Sequence, residues 1–255
     1  MGDFYVFPYL SDGIGQCLFQ LYYAKYYSEV NGLELKLIKQ GDCKNQALLL
    51  KLFPLKLIPL PESYTTLTYP DDCFKVQPIS TSISSHIELR GTPMCYAYCS
   101  HTNLFPNWKN ALMKASIQIL EDANLINYEM QKNTWMLSYN TSNMDAYYRQ
   151  CIDEIPDGKR LHVFSKNNER CKELFTSMTK GRNITVTYSN ESEPLNALYE
   201  MTYCLGGSIT ENDALSWWGA FYARKRALNF GHKIIAYYPE VCGCVPHWGK
   251  SIKAE

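Results

Sequence analysis

Apolar runs of strand length alternate with stretches of helical periodicity along this chain. Phe4-Tyr5-Val6-Phe7 is a continuous apolar run and reads as a buried first strand. Ser11-Asp12-Gly13-Ile14-Gly15-Gln16 follows as a glycine-bearing turn. From Gln16 to about Asn31, Leu18, Leu21, Tyr22 and Ala24 recur near helical spacing, and Gly32 is placed to stop the helix. Glu34-Leu35-Lys36-Leu37-Ile38 alternates as a second strand. A strand–turn–helix–strand unit of this kind opens a parallel, doubly wound sheet. Its glycine turn falls at the carboxyl end of the first strand, where open α/β sheets bind ligands.

The middle of the chain is less regular. Asp42 to Pro61 is leucine-rich but broken by Pro54, Pro59 and Pro61, which predicts a short helix and then irregular chain. Tyr64 to Ser85 is rich in Thr, Ser and Pro and reads as loops with short strands. Pro106-Asn107-Trp108 introduces a helix to about Leu125, with Leu112, Ile117, Ile119 and Leu120 as its apolar positions.

After Gln131 the alternation becomes regular. Strands are predicted at Trp135–Leu137, Leu161–Phe164, Ile184–Tyr188, Ser208–Thr210 and Lys233–Tyr237. Helices are predicted at Asp145–Ile155, from Asn168 to about Met178, at Leu195–Cys204, and from the Ser216-Trp217-Trp218 stretch to about Leu228. Pro156-Asp157-Gly158 is a turn. Strands alternating with helices of this length mean a parallel sheet covered on both faces. The expected fold is therefore α/β with two lobes, residues 1–130 and 131–255, and a ligand cleft between them.

Composition narrows the function. Lys plus Arg and Asp plus Glu each total 25, a formal net charge of zero, so no basic surplus argues for nucleic acid or an anionic membrane. No apolar run is long enough to span a bilayer, and the N-terminal residues do not follow a signal-peptide or myristoylation pattern. A cytoplasmic, soluble protein is the expectation. Ten cysteines without a Cys-x-x-Cys pair read as free buried thiols rather than a disulfide framework or a zinc site. The Asn-x-Ser/Thr triplets at Asn140, Asn183 and Asn190 read as chance matches.

The chemistry-bearing stretch is Ser208-Ile209-Thr210, the polar turn Glu211-Asn212-Asp213, and the helix opening Ser216-Trp217-Trp218. A strand–polar turn–helix junction offers free backbone N–H groups to a phosphate-like anion. Paired tryptophans at a helix start read, on the residues alone, first as core.

Three stretches, in order, resemble the inverting α-1,2-fucosyltransferase family. Asp12-Gly13-Ile14-Gly15-Gln16-Cys17-Leu18-Phe19-Gln20 is similar to its opening Gly-Gly-Leu-Gly-Asn-Gln-x-Phe-Gln turn and helix, with Gln16 and Cys17 in place of Asn-Gln. Tyr147-Tyr148, Val163-Phe164-Ser165 and Cys171-Lys172-Glu173 resemble its Tyr-Tyr helix, Phe-Ser-Asp-Asp strand end and Trp-Cys-Lys-Glu helix. Met201-x-x-Cys204, Asn212 and Ser216-Trp217-Trp218-Gly219-Ala220-Phe221 resemble Met-x-x-Cys followed by Asn-Ser-Thr-Phe-Ser-Trp-Trp-Gly-Ala-Trp.

The resemblance implies a GT-B architecture of two Rossmann-like lobes, the first on the acceptor side and the second holding a GDP-fucose donor. It implies inversion by direct displacement, with no metal and no cofactor beyond the donor substrate. Donor and glycan acceptor are then the partners. The candidate donor-binding residues are Gly13, Gly15, Gln16, Ser165, Lys166, Asn212, Asp213, Ser216 and Trp217. No catalytic base is assigned; Asp12, Asp145, Glu211 and Asp213 are the nearby carboxylates, each also suited to capping.

The departures are specific. The family's His-x-Arg-Arg-Gly-Asp pattern on the first strand of the second lobe is replaced by Thr134-Trp135-Met136-Leu137-Ser138-Tyr139-Asn140-Thr141, without His, Arg or Asp. Phe164-Ser165-Lys166-Asn167 lacks the two aspartates, and Lys166 is either a point cation for the donor or a solvated loop lysine. His86-Ile87-Glu88-Leu89-Arg90-Gly91 resembles the lost pattern but falls too early in the chain. A non-catalytic glycan- or nucleotide-binding relative is the alternative reading. An unrelated Rossmann enzyme is disfavoured by Leu18 at the third-glycine position.

Overall fold

The protein is described from a computed structural model over residues 4–10, 13–39, 44–53, 55–68, 83–91, 117–140, 144–166, 168–211, 213–240 and 245–253. It divides into two compact units, Met1–Lys114 and Ala115–Glu255.

In the first unit, β1 (Tyr5–Pro8) leads into α1 (Ile14–Val30), then β2 (Glu34–Leu35), β3 (Leu37–Ile38), α2 (Lys44–Leu52), β4 (Leu57–Ile58), β5 (Tyr64–Thr68) and β6 (His86–Arg90). The main sheet is parallel, in the order β2-β1-β6-β5. All of the stretch from Cys17 to Ala24 is buried, so α1 is embedded rather than amphipathic. The single second strand expected over Glu34–Ile38 is two pieces. Glu34 and Leu35 pair with β1, whereas Leu37 and Ile38 turn away to pair with β4. The predicted helix from Pro106 enters the described residues only at Ile117.

The second unit begins with two short helices, α3 (Ile117–Asp122) and α4 (Tyr128–Asn133). They belong here, and not before a divide near residue 130, because their ends are fastened to this unit. The buried Arg160 guanidinium donates to the Ala123 and Asn124 carbonyls at 2.8 and 3.3 Å, and Leu205 N–H donates to Gln131 O at 2.8 Å. There follow β7 (Thr134–Tyr139), α5 (Asp145–Asp153), β8 (Arg160–Ser165), α6 (Asn168–Met178), β9 (Thr185–Tyr188), α7 (Pro194–Met201), β10 (Gly207–Ile209), α8 (Ala214–Asn229), β11 (Ala236–Pro239) and β12 (Gly249–Ile252).

These strands form one parallel sheet, in the order β12-β11-β10-β7-β8-β9. Counted from β7, that is the 3-2-1-4-5-6 arrangement of a doubly wound sheet read from the other edge. β7 is buried at every position, as expected for a strand covered on both faces. The last strand of the βα series starts at Ala236 rather than Lys233, and β12 has no counterpart in the sequence reading.

Gly207 lets β10 run against β7. A Cβ there would lie 2.5 Å from a ring atom of Trp135, which is itself buried and stacked on Tyr237 with centroids 6.1 Å apart. The ring has no room to retreat. Gly207→Ala is expected to destabilise the second unit by about 1–3 kcal/mol, the range for overpacking, read as a lower urea midpoint at unchanged slope.

Candidate functional site

In a sheet of this order the connections from β7 and β10 leave in opposite directions, opening a crevice outside their carboxyl ends. A cavity of about 420 Å³ lies along this edge, within the second unit. Ser138 and Asn140 enter it from the end of β7, and Phe164, Ser165 and Lys166 from the end of β8. The turn after β9 contributes Ser189, Asn190, Glu191 and Ser192; α7 contributes Met201; the start of α8 contributes Asp213 and Leu215.

The α8 N-terminus is held by its own side chains. Asp213 is the N-cap, and its carboxylate accepts from Ser216 N–H at 2.9 Å and from Ser216 Oγ at 2.5 Å. Ser138 Oγ donates to the same carboxylate at 3.4 Å. Such a cap satisfies one of the donors a helix start leaves open. It also puts a negative charge at the mouth of the anion-attracting end.

Two residues earlier, buried Glu211 accepts from Asn140 N–H at 2.8 Å and from the Tyr148 hydroxyl. Tyr147 OH donates to Thr210 O at 2.7 Å and Tyr237 O at 3.0 Å. The two tyrosines therefore pin α5 over the carboxyl ends of β7, β10 and β11. Burial pushes both phenols above their usual range, and Glu211 adds to the effect on Tyr148.

Of the residues expected to bind donor, Ser165, Lys166 and Asp213 come together on the cavity wall. Lys166 is exposed and is the one cation lining it among the described residues. Ser165 also bonds the Cys171 thiol, whose pKa is raised by burial. Ser216 is fully buried, with its hydroxyl turned to Asp213. Trp217 is also buried; its ring stacks on Phe221 at 5.4 Å and meets Trp218 edge-on at 5.1 Å. Asn212 lies outside the described residues, as do Asp12 and Asn167.

Gly13, Gly15 and Gln16 belong to the first unit. Gly13 is the N-cap of α1 at φ 87°, a left-handed value suited to glycine, which has no side chain to cap with. The Gln16 Nε2 is buried without a hydrogen-bond partner among the described residues. Arg90 also lies in this unit, at the end of β6. Its guanidinium pairs with buried Glu88 at 2.7 Å and sits 4.9 Å from the Tyr9 ring centre. The strand without His, Arg or Asp is β7, the first strand of the second sheet and a flank of the switch point.

The sequence reading missed the Ser189–Ser192 turn. Its signal was a run of polar residues closing a strand, Ser189-Asn190-Glu191-Ser192, one strand beyond Lys166 in the sheet order. Among the described residues Cys17, Cys151, Cys171 and Cys204 are buried, and none of the four is in a disulfide. Burial lifts the Cys151 thiol to about 12. Among the described residues no group of three His, Cys, Asp or Glu is placed to hold a metal, and no helix is long and apolar enough to cross a membrane.

The fold matches solved fucosyltransferases. The crystal structure of the fucosyltransferase NodZ from Bradyrhizobium aligns with a TM-score of 0.54 at 12% identity, over 86% of this chain and 93% of that one. A mutant of FUT1 from Arabidopsis thaliana, in complex with GDP, aligns with a TM-score of 0.53 at 13% identity, over 96% of this chain and 72% of that one. The architecture is thus α/β and GT-B-like, built from two Rossmann-like units. No protein-family model matches the chain, and no curated protein matches it in sequence.

Proposed function

We propose that the protein is a glycosyltransferase whose second unit holds a nucleotide-sugar donor, with GDP-fucose the first donor to test. The carrying observation is the cavity at the carboxyl edge, beside the switch point, of a fold shared with fucosyltransferases, one of them in complex with GDP. The diphosphate is assigned to the end of the cavity between Lys166 and the α8 start, bordered by Asp213, which the buried Ser216 holds from behind. The first unit is assigned to the acceptor, while Gly13, Gly15 and Gln16 in its opening turn stay candidates for the donor.

The chemistry is a direct displacement. The acceptor oxygen forms a bond to the anomeric carbon while the bond to the diphosphate oxygen breaks. The nucleoside diphosphate leaves with the electron pair, and the anomeric configuration inverts. Charge grows on the leaving group, so a cation such as Lys166 contributes more in the transition state than in the ground state. The acceptor proton passes to a carboxylate or to solvent.

The test combines calorimetry with GDP, UDP and ADP and a transfer assay with GDP-fucose, a glycan acceptor panel and EDTA. The expected result is GDP binding, transfer that survives EDTA, and a product of inverted anomeric configuration. Binding of none of these nucleotides would overturn the reading. Binding without donor hydrolysis or transfer would assign the protein as a non-catalytic relative.

A further inference from the structure

Joined to the cavity lining through Ser189 is a buried cluster that the transfer chemistry does not use. His162 on β8 and Glu200 on α7 are 1% and 2% exposed, and His162 Nε2–H donates to Glu200 Oε1 at 2.6 Å. A buried pair of this kind is a weak source of stability, because taking both groups out of water offsets their attraction. Its connections indicate another use. His162 Nδ1 bonds the Thr187 hydroxyl on β9 at 2.7 Å, and the second oxygen of Glu200 accepts from the Ser189 hydroxyl. Ser189 Oγ then accepts from Glu191 N–H at 3.2 Å, and Glu191 Oε2 accepts from Asn196 Nδ2 at 3.0 Å.

The bonds therefore run without a gap from the middle of β8 to the turn at residues 189–192, all of which line the cavity. Ser189 is the joint: it is 5% exposed, it lines the cavity, and it receives the network through Glu200. The turn presents Glu191, whose remaining carboxylate oxygen has no partner among the described residues. It stands three strands from β10 in the order β10-β7-β8-β9, or about 14 Å at the usual strand spacing. A ligand whose phosphates lie at the α8 start would reach this turn with its nucleoside.

We propose that the His162–Glu200 pair is a positioning element that holds the 189–192 turn, through Ser189, against the nucleoside portion of the donor. This rests on the reading of the cavity as a donor site. A turn of short polar residues with one carboxylate is ordered only if something rigid anchors it, and a satisfied buried network is such an anchor. His162, Glu200 and Ser189 act through the turn and do not touch the reacting atoms.

Ser189→Ala cuts the joint and leaves the pair in place; Glu200→Gln keeps the shape and removes the charge. In each, affinity for GDP and for guanosine should fall by the same factor, roughly tenfold or more for a lost bond to a buried charged group. Affinity for pyrophosphate should stay unchanged. A purely structural role would not separate nucleoside from pyrophosphate in this way.

Hydrogen exchange without ligand is the second readout. Amides of residues 189–193 should exchange faster in both variants while those of β7 and β8 do not. Unchanged exchange in the turn would overturn the proposal. So would GDP affinity within twofold of the parent in a variant whose turn has loosened. Parent protein that binds neither GDP nor guanosine would overturn the donor reading instead, and faster turn exchange in the variants would still support the positioning role.

Discussion

Replacing Trp218 with alanine is expected to cost the second unit about 3–5 kcal/mol, the range for removing a fully buried tryptophan. The ring is 0% exposed and is among the largest fully buried side chains. It stacks on Tyr222 at 5.4 Å and 29°, meets Phe221 edge-on at 5.4 Å, and meets Trp217 at 5.1 Å. Aromatic pairs in these geometries each add about 0.5–1.5 kcal/mol beyond the area they bury. Domains have only about 5–15 kcal/mol in total, so the loss is a large share. Urea unfolding followed by circular dichroism should show a lower midpoint at unchanged slope. A loss under about 1 kcal/mol would mean that the ring is not packed as described. Below the melting temperature the folded variant should keep its GDP affinity, because Trp218 faces α8's own neighbours and not the cavity. A selective loss of GDP affinity in folded protein would put the ring in the site.

The second unit was legible because its strands are covered on both faces. Such strands read as largely apolar runs; Trp135–Leu137 is unbroken, and Leu161–Phe164 is interrupted only by His162. Edge strands carry no such signal. Gly249-Lys250-Ser251-Ile252 pairs only with β11 and has no apolar run. Likewise nothing local in Glu34–Ile38 marks the break at Lys36, which arises because β4, about twenty residues later, takes the second half.

The site was legible in part, for a related reason. A tyrosine pair on a helix stands out in a sequence, but its work is to fasten α5 to three strand ends. Ser216 and Trp217 stood out as well, and both prove to be buried at the α8 start. The Ser189–Ser192 turn did not stand out, since polar turn residues look alike whether they meet solvent or line a cavity. Lys166 and Asp213 were found because the strand-end and helix-start positions are dictated by the alternation itself.

Lys166→Glu should weaken GDP binding roughly a hundredfold while leaving guanosine affinity nearly unchanged; the size follows from reversing one charge near a diphosphate. Two unit charges about 4 Å apart interact by ~1 kcal/mol in water and ~4 kcal/mol near a protein surface, and reversal replaces an attraction with a repulsion of similar size. Two facts make Lys166 the decisive group. It is the one cation lining the cavity among the described residues, and the lining also carries the Asp213 and Glu191 carboxylates. Nothing else described there offsets a diphosphate's charge, and no arginine fork stands on β7 to share the load. Because Lys166 is exposed, its contribution is screened. GDP affinity of the parent protein should therefore fall as salt rises from 0.05 to about 0.5 M, where the Debye length shrinks to a few ångströms. In Lys166→Glu the same titration should be flat or reversed in sign. Calorimetry over that range with GDP and guanosine decides the matter. Equal GDP affinity in parent and variant would remove Lys166 from the diphosphate end and require the charge to be met by residues outside those described.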